Sequence, residues 1–210
     1  MLDGKLRLVC FTRTGIVILD PSTGSVIFEK RWRARIGASV NAASPILAGK
    51  RIYFSSSYQT GSICLEAGPE GFRELWSGDN ILSSHYSSII HQGGFLYGFD
   101  GRQEYGTRLR CVSLTSGKIV WNEARPGKNS FGSGTLILAG DRLLVLTDSG
   151  ELIFSRVSST AYKKLASTTV LTGTVRAYPA LAGGRLYARS TSELACIDLA
   201  KTPAARPGPK

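Results

Sequence analysis

The sequence predicts an all-β fold, a β-propeller of four-stranded antiparallel blades with about four and a half blades present. Three observations predict it: one signature recurs five times, neighbouring copies lie about 44 residues apart, and no segment shows a sustained 3.6-residue apolar period. Four-stranded blades repeat every 40–45 residues or so, whereas a solenoid coil repeats about every 20–29 residues. A chain of 210 residues holds fewer than five complete units, which predicts a partial or open ring.

The signature marks the second strand of each unit. An Arg or a Phe stands near a Gly-containing turn and precedes two apolar residues. The copies are Arg7-Leu8-Val9, Arg51-Ile52-Tyr53, Phe95-Leu96-Tyr97, Arg142-Leu143-Leu144 and Arg185-Leu186-Tyr187. The four strands of a unit are named A to D in chain order, so the signature is strand B. The units then start near residues 4, 44, 87, 134 and 178.

Similar segments recur on both sides of the signature. Strand A is predicted at Ser44–Leu47, Ser87–Ile90, Gly134–Ile137 and Tyr178–Leu181. Strand C is predicted at Ile18–Asp20, Cys64–Glu66, Cys111–Ser113, Ile153–Ser155 and Cys196–Asp198. Turns rich in Gly, Ser, Asp and Pro separate these short apolar segments, which is typical of antiparallel hairpins.

Strand D closes each unit and ends on an aromatic residue. The first unit reaches Phe28, the second Trp76 and the third Trp121, while the fourth, from Phe154 to Tyr162, lacks both the Gly and the Trp. The repeats cover residues 1–200, and we expect the Pro-rich residues 201–210 to form a disordered tail.

Two of these units resemble the pyrroloquinoline-quinone (PQQ) repeat family. The segment from Cys111 through Gly117 to Trp121 is similar to the family motif Ala-x-Asp-x-x-Thr-Gly-x-x-x-Trp, with Ser113 in place of the Asp. The segment from Ile18 to Phe28 is a second copy that ends in Phe. The resemblance spans roughly residues 4 to 200, and it implies the fold more specifically than the function.

The resemblance implies two alternative functions. The family includes eight-bladed quinoprotein alcohol dehydrogenases and non-enzymatic members similar to BamB, a lipoprotein of outer-membrane barrel assembly. We expect a non-catalytic binding or scaffolding module of a bacterial envelope or secreted protein, corresponding to the C-terminal part of a larger propeller. The alternative is a fragment of a PQQ-dependent quinoprotein dehydrogenase that oxidises an alcohol or a sugar.

The same resemblance bears on location and partners. Family members are usually exported, which implies a periplasmic or extracellular parent protein, although this chain shows no signal-peptide pattern. No apolar run is long enough for a membrane-spanning helix. We expect self-association through open blade edges, since an unpaired strand edge is a template for pairing.

A candidate binding site is predicted where the B–C and D–A connections meet on one face of the blades. Loops on a rigid scaffold are where binding groups concentrate. The polar candidates near the central channel are Asn41, His85, Tyr86, Asp100, Arg102, Glu104 and Asn129. They predict a site for a protein partner or a small polar ligand. In the purely structural alternative, Asp100-Gly101 is a turn, Arg102 and Glu104 pair, and His85 and Tyr86 hydrogen-bond between blades.

No cofactor is expected under the first function, whereas the second requires PQQ and calcium. Glu104, Asn129, Asp100 and Trp32 are of suitable type for that set, although none lies in a family motif. H-E-x-x-H, Walker A and G-x-S-x-G patterns are absent, and 2 His residues cannot supply a three-His metal site.

The net charge of +11 permits an acidic partner without identifying one. Residues 30–35 alternate like a strand, with Arg31, Arg33 and Arg35 on one side. We interpret them as an outer strand whose charges protect the blade edge; an anionic-surface patch is the alternative. No aromatic-basic groove for single-stranded nucleic acid is evident, so no specific nucleic acid is expected.

The 4 Cys residues show no C-x-x-C spacing. Cys64, Cys111 and Cys196 occupy the same strand C position in three different units, too far apart for a disulfide. We expect all four to be buried free thiols.

Overall fold

The computed structural model describes residues 2, 4–37, 39–87, 89–124 and 130–200. In these ranges every regular element is a β-strand, and the strands form five antiparallel sheets that follow one another along the chain. The predicted all-β class is therefore confirmed. Residues 201–210, expected to be a disordered tail, lie outside the described residues.

The first three sheets, named blades 1 to 3, contain eleven strands. These are β1 (Leu8–Phe11), β2 (Gly15–Leu19), β3 (Val26–Arg31), β4 (Ile46–Ala48), β5 (Arg51–Ser55), β6 (Ser62–Gly68), β7 (Gly71–Gly78), β8 (Ile90–Gln92), β9 (Phe95–Arg102), β10 (Gly106–Ser113) and β11 (Ile119–Glu123). Blade 1 comprises β1–β3, blade 2 β4–β7 and blade 3 β8–β11.

Blades 4 and 5 contain the remaining seven strands that the structure describes. These are β12 (Gly134–Ala139), β13 (Arg142–Thr147), β14 (Glu151–Arg156), β15 (Lys163–Thr169), β16 (Ala180–Ala182), β17 (Arg185–Arg189) and β18 (Leu194–Asp198). Blades 2 to 4 have strands A to D in meander order. Blade 1 corresponds to strands B to D, and blade 5 to strands A to C.

The hydrophobic core lies between successive blades. Side chains alternate across a strand, so adjacent signature residues face opposite neighbours. In blade 2, Ile52 packs with blade 1 residues such as Ile18. Tyr53, the next residue, packs with Leu96 of blade 3. In blade 2 the two apolar residues of the signature thus supply the two faces that the neighbouring blades bury.

The aromatic residue of strand D links each blade to the next. The indole Nε1 of Trp76 donates to the backbone oxygen of Leu114 at 2.9 Å, and Trp121 Nε1 donates to that of Ser158 at 2.8 Å. Gly117 lies against the Trp76 ring with φ 69, and a Cβ on it would be 2.8 Å from a ring carbon. Gly is therefore required in this turn, because the preceding blade's Trp occupies the space of a side chain.

Two sheet faces are not covered by another sheet within the described ranges. Tyr187 of blade 5 is 41% exposed, whereas Tyr53 and Tyr97, at the same signature position, are 0% and 1% exposed. Cys196 lies on the same blade and is exposed too. The expectation that all four thiols are buried is therefore wrong, because no further blade packs on this face: Cys64 and Cys111 are buried, and Cys10 is half-buried.

The prediction for residues 30–35 is also corrected. Strand β3 ends at Arg31, so Arg33 and Arg35 do not belong to the blade edge. The chain leaves the sheet because Trp32 is held by blade 2, where its Nε1 donates to the Gly61 backbone oxygen at 3.1 Å. Packing of the Trp32 indole against blade 2 is therefore more favourable than further strand pairing at the outer edge of blade 1.

Candidate functional site

The site lies on the loop face, defined as the surface formed by the B–C connections and the connections between blades. Tyr58 lies near its centre, in the loop between β5 and β6. Its hydroxyl and Nε2 of His85 are hydrogen-bonded at 2.8 Å, and the two rings meet edge to face with centroids 5.0 Å apart. The Tyr86 ring lies on the other side of His85, at 5.1 Å. Three aromatic rings from two neighbouring connections therefore form one cluster.

Arg102 joins this cluster from the end of β9. Its guanidinium carbon is 4.3 Å from the centre of the Tyr58 ring and 5.5 Å from that of Tyr105. Its Nη2 donates to Oε1 of Glu104 at 3.2 Å. The pairing of Arg102 with Glu104 is what the structural alternative anticipated, and the guanidinium also contacts the rings of two tyrosines.

Burial lowers the pKa of His85, and the nearby positive charge of Arg102 lowers it further, although Glu104 acts in the opposite direction. The imidazole is therefore neutral at pH 7. His85 Nδ1 and Arg102 Nε are both buried without a hydrogen-bond partner among the described protein groups. Buried polar atoms in folded proteins are nearly always hydrogen-bonded, so these two nitrogens mark places where water or a polar ligand group can bind.

Tyr86 connects the cluster to blade 5. Its hydroxyl donates to Oε1 of Gln103, and Nη1 of Arg176 donates to both of these oxygens. The hydroxyl of Tyr178 donates to the Tyr86 backbone oxygen at 3.2 Å. Residues about 90 positions apart in sequence therefore meet on the loop face.

Asn41 links blades 1 and 2. Its Nδ2 donates to the backbone oxygens of Thr12 and Trp32, each at 2.8 Å, and its Oδ1 accepts from Ser56 Oγ at 2.8 Å. Both donor hydrogens are used within the protein. The Asn41 side chain consequently holds the loops of blades 1 and 2 together and is not directed at a ligand.

Asp100 is likewise held by the protein. It lies in β9 rather than in a turn, and its Oδ1 accepts from the Ser83 backbone N–H at 2.7 Å. Arg110 Nη1 is 2.8 Å from Oδ2. Burial raises the pKa of this carboxyl, and the Ser83 hydrogen bond and the Arg110 charge oppose that rise. Asp100 thus fixes the connection before blade 3. It also lines a cavity that opens on the loop face.

Two adjoining cavities open on the loop face. The first, about 490 Å³, is lined by residues that include Tyr58, Asp79, Asp100, Arg102 and Tyr105. The second, about 500 Å³, is lined by residues that include Arg31, Trp32, Arg33, Arg35 and Thr60. Ile36, Tyr58 and Gln59 line both cavities. Tyr58 and Gln59 are therefore the ridge between them.

The ridge is strained. Tyr58 and Gln59 have φ of 59° and 61°, in the left-handed region that favours Gly. Such a backbone costs about 1–2 kcal/mol per residue, and it persists only where the surroundings impose it. Here the two residues form the centre of a hairpin turn, which the Thr60 N–H closes by donating to the Ser57 backbone oxygen at 3.2 Å.

The structure brings together four of the seven predicted residues: His85, Tyr86, Arg102 and Glu104. Asn41 and Asp100 support the surrounding loops, and Asn129 lies outside the described residues. Sequence reasoning missed Tyr58, Gln59, Gln103 and Arg176. The loop from Ser55 to Gly61 was recognisable as part of this face, but nothing in its composition indicates which side chain reaches His85.

Of the four residues suited to PQQ and calcium, the three that the structure describes are engaged with other protein groups. Asp100 and Glu104 each pair with an arginine, Trp32 packs between blades 1 and 2, and Asn129 lies outside the described residues. Within the described part of the chain, no group of three His, Cys, Asp or Glu side chains is placed to hold a metal ion.

The fold and the loop face together define the class of the protein, a partial β-propeller with polar loops on one face. The family model described as "Outer membrane protein assembly factor BamB" matches residues 1–123 and 105–204. The chain belongs to this PQQ-repeat family. The resemblance inferred from the sequence is confirmed.

Solved structures share the fold. BamB from Moraxella catarrhalis superposes with a TM-score of 0.68 at 15% identity, covering 90% of this chain and 54% of that one. The computationally designed Ika8 protein gives 0.61 at 11% identity, covering 92% and 55%. The N-terminal domain of Nup159 gives 0.56 at 10% identity, covering 87% and 49%. The chain therefore spans about half the length of these structures.

A comparison with curated proteins finds no match. Among the residues that the structure describes, no helix is long and apolar enough to cross a membrane.

Proposed function

We propose that the protein is a non-catalytic, protein-binding module of a bacterial envelope, and that it recognises its partner through the loop face. The Arg102–Tyr58–His85–Tyr86 cluster carries this proposal. Tyr and Arg dominate the binding energy of protein interfaces because they combine large contact area with hydrogen-bonding groups. Here they are stacked on one another before any partner binds, which reduces the entropy lost on binding.

The family supports the same conclusion. The matching family model is described as an assembly factor of outer-membrane proteins, and a BamB structure has the same fold. An assembly factor acts by holding other proteins, which requires an exposed recognition surface rather than a catalytic group. A periplasmic or extracellular location of the parent protein is part of this proposal.

Site-specific photo-cross-linking in the source bacterium tests the proposal. A photoreactive amino acid replaces Tyr105, which is 84% exposed beside the cluster. A matched control places it at Gln92, an exposed residue at the end of β8, next to the A–B turn on the opposite face. We expect a discrete protein adduct from position 105 only, and its loss when Arg102→Ala is added.

Identical adducts from both positions, or none from position 105, would contradict loop-face recognition. Titration with PQQ and calcium, followed by tryptophan fluorescence, examines the dehydrogenase alternative. Saturable binding at micromolar concentration would favour that alternative over the present proposal.

A further inference from the structure

The second cavity of the loop face contains an unusual concentration of positive charge. Arg31, Arg33 and Arg35 all line it, together with the polar side chains of Gln59 and Thr60. Arg31 and Arg35 are exposed and Arg33 is half-buried. Three guanidinium groups along one wall give this cavity a different character from its neighbour.

The three arginines lie where the chain leaves blade 1. Strand β3 ends at Arg31, Trp32 packs between blades 1 and 2, and Ala34 is buried. The chain then bends at residues 35–36, and Trp32 and Ile36 line the same cavity as the arginines. The arginines therefore belong to the loop face and not to an outer strand.

The charge of this wall is not compensated. Within the described ranges, none of the three guanidiniums has a carboxylate within ion-pair distance. By contrast, Arg51 pairs with Glu66 at 3.2 Å and Arg110 with Asp100 at 2.8 Å. Like charges held close together repel one another, and an anion bound among them removes that repulsion. A planar guanidinium suits carboxylate in particular, because it donates two parallel hydrogen bonds.

The first cavity limits the kind of anion. Across the ridge it presents Asp79 and the ring of Tyr105, while its Asp100 and Arg102 are paired with Arg110 and Glu104. A uniformly charged polyanion that extends from the arginines would meet the Asp79 carboxylate. A peptide with a short acidic run followed by uncharged and aromatic residues is complementary to both cavities.

We propose that Arg31, Arg33 and Arg35 bind the carboxylates of a short acidic segment of a partner protein, whose following residues occupy the Tyr58–Tyr105 cavity. This inference rests on the proposed function and names the chemistry of the partner. The ridge of Tyr58 and Gln59 then marks the boundary between the acidic run and the uncharged part of the peptide.

The purified full chain is titrated with a fluorescein-labelled peptide in which a run of Glu is followed by Ser, Tyr and Leu. We expect saturable binding that weakens with salt, since exposed charges are screened. The double variant Arg33→Gln/Arg35→Gln should weaken binding at least about tenfold, because two charged hydrogen-bond donors are lost. Arg33→Lys/Arg35→Lys should retain part of the affinity.

The matched control is Lys163→Gln/Arg185→Gln, which removes the same charge from exposed positions on blades 4 and 5. It should bind like the unmodified chain, and thermal unfolding should show that all three double variants remain folded. Equal weakening in the control would overturn a specific pocket, as would no binding of the Glu peptide.

Three further probes distinguish an acidic peptide from other anionic ligands. The same peptide with Gln in place of Glu should not bind, and polyphosphate and a single-stranded oligonucleotide should bind more weakly than the Glu peptide. Tighter binding of either polyanion would overturn the peptide assignment. If Arg33→Gln/Arg35→Gln leaves the cross-link from position 105 intact, this inference fails while the proposed function stands.

Discussion

The guanidinium carbon of Arg102 lies 4.3 Å from the centre of the Tyr58 ring, and the Tyr58 hydroxyl is hydrogen-bonded to His85. One side chain from the B–C loop of blade 2 therefore meets the end of β9 in blade 3 and the connection between these blades. Single substitutions in the cluster should therefore affect the free energy of unfolding and partner binding to different extents.

Tyr58→Phe separates the hydroxyl from the ring. It removes the hydrogen bond to His85 but keeps the surface on which Arg102 stacks. We expect the free energy of unfolding to fall by about 1 kcal/mol, measured by urea denaturation, because one partly buried hydrogen bond is lost. The adduct from position 105 should persist. Tyr58→Ala also removes the stacking surface, so the free energy of unfolding should fall further and the adduct should disappear. An equal effect of the two substitutions would show that the hydroxyl and the ring do not have separate roles.

Gln59→Gly tests the strain in the ridge. Gly adopts a φ near 61° without steric cost, so we expect the free energy of unfolding to rise by about 1 kcal/mol. The control is Gln92→Gly in β8, outside the left-handed positions, where the same change should destabilise by about 0.5–1 kcal/mol. Denaturation curves of both variants are the measurement, and a loss of stability in Gln59→Gly would show that the ridge is not strained.

His85 makes stability depend on pH. Its pKa in the folded protein is lowered, chiefly by burial, from the ordinary 6.5 that it has when unfolded. The folded protein consequently takes up a proton at His85 less readily than the unfolded chain does. The free energy of unfolding is therefore unaffected by His85 above about pH 6.5, and it declines as the pH falls through the folded pKa. Urea denaturation from about pH 8 to about pH 5 should show this decline, and His85→Gln should reduce it.

His91 is the internal comparison for that measurement, since burial lowers its pKa as well. Each His→Gln substitution should remove part of the pH dependence. A pH profile unchanged by His85→Gln would mean that His85 titrates in the same way in the folded and the unfolded chain.

The uncovered face of blade 5 should promote self-association of the chain. Leu194 is 79% exposed on β18, on the blade that also exposes Tyr187. Apolar surface of this kind is covered between the other blades, so we expect a concentration-dependent increase in mass by light scattering, and its reduction in Leu194→Lys. A strictly monomeric chain at high concentration would contradict the expectation.

Thiol labelling locates the contact. Cys196 is exposed and should react readily in dilute protein, whereas burial raises the pKa of Cys64 to about 12 and that of Cys111 to about 11, so both should react only on unfolding. Slower labelling of Cys196 at high concentration would place the association on this face. A rate independent of concentration would place it elsewhere.

The fold was predictable because its determinants are local and repeated. Adjacent apolar residues such as Ile52 and Tyr53 specify two buried faces, and the turn at Gly117 with the aromatic end of strand D specifies how one blade meets the next. Each of these signals lies within one repeat. Because the pattern occurs five times, it can be recognised in the sequence although the fourth unit is irregular.

The site was predictable only in part, because its members come from loops that the fold brings together. His85, Tyr86 and Arg102 were identified from their polarity and their position in connections. Tyr58 was missed, since a tyrosine in a Ser-rich loop carries no signal of its neighbours, and Arg176 is about 90 residues from the tyrosine that it contacts.

Local alternation and turn chemistry thus specify the blades, their number and the face on which the loops gather. Tertiary structure decided what those loops do. Trp32 packs against blade 2 and turns Arg33 and Arg35 away from the blade edge into a cavity. The Tyr58 hydroxyl meets His85, and the Tyr58 ring meets Arg102 of blade 3. Both outcomes depend on contacts between residues far apart in the chain, whose energies appear only once the blades have packed.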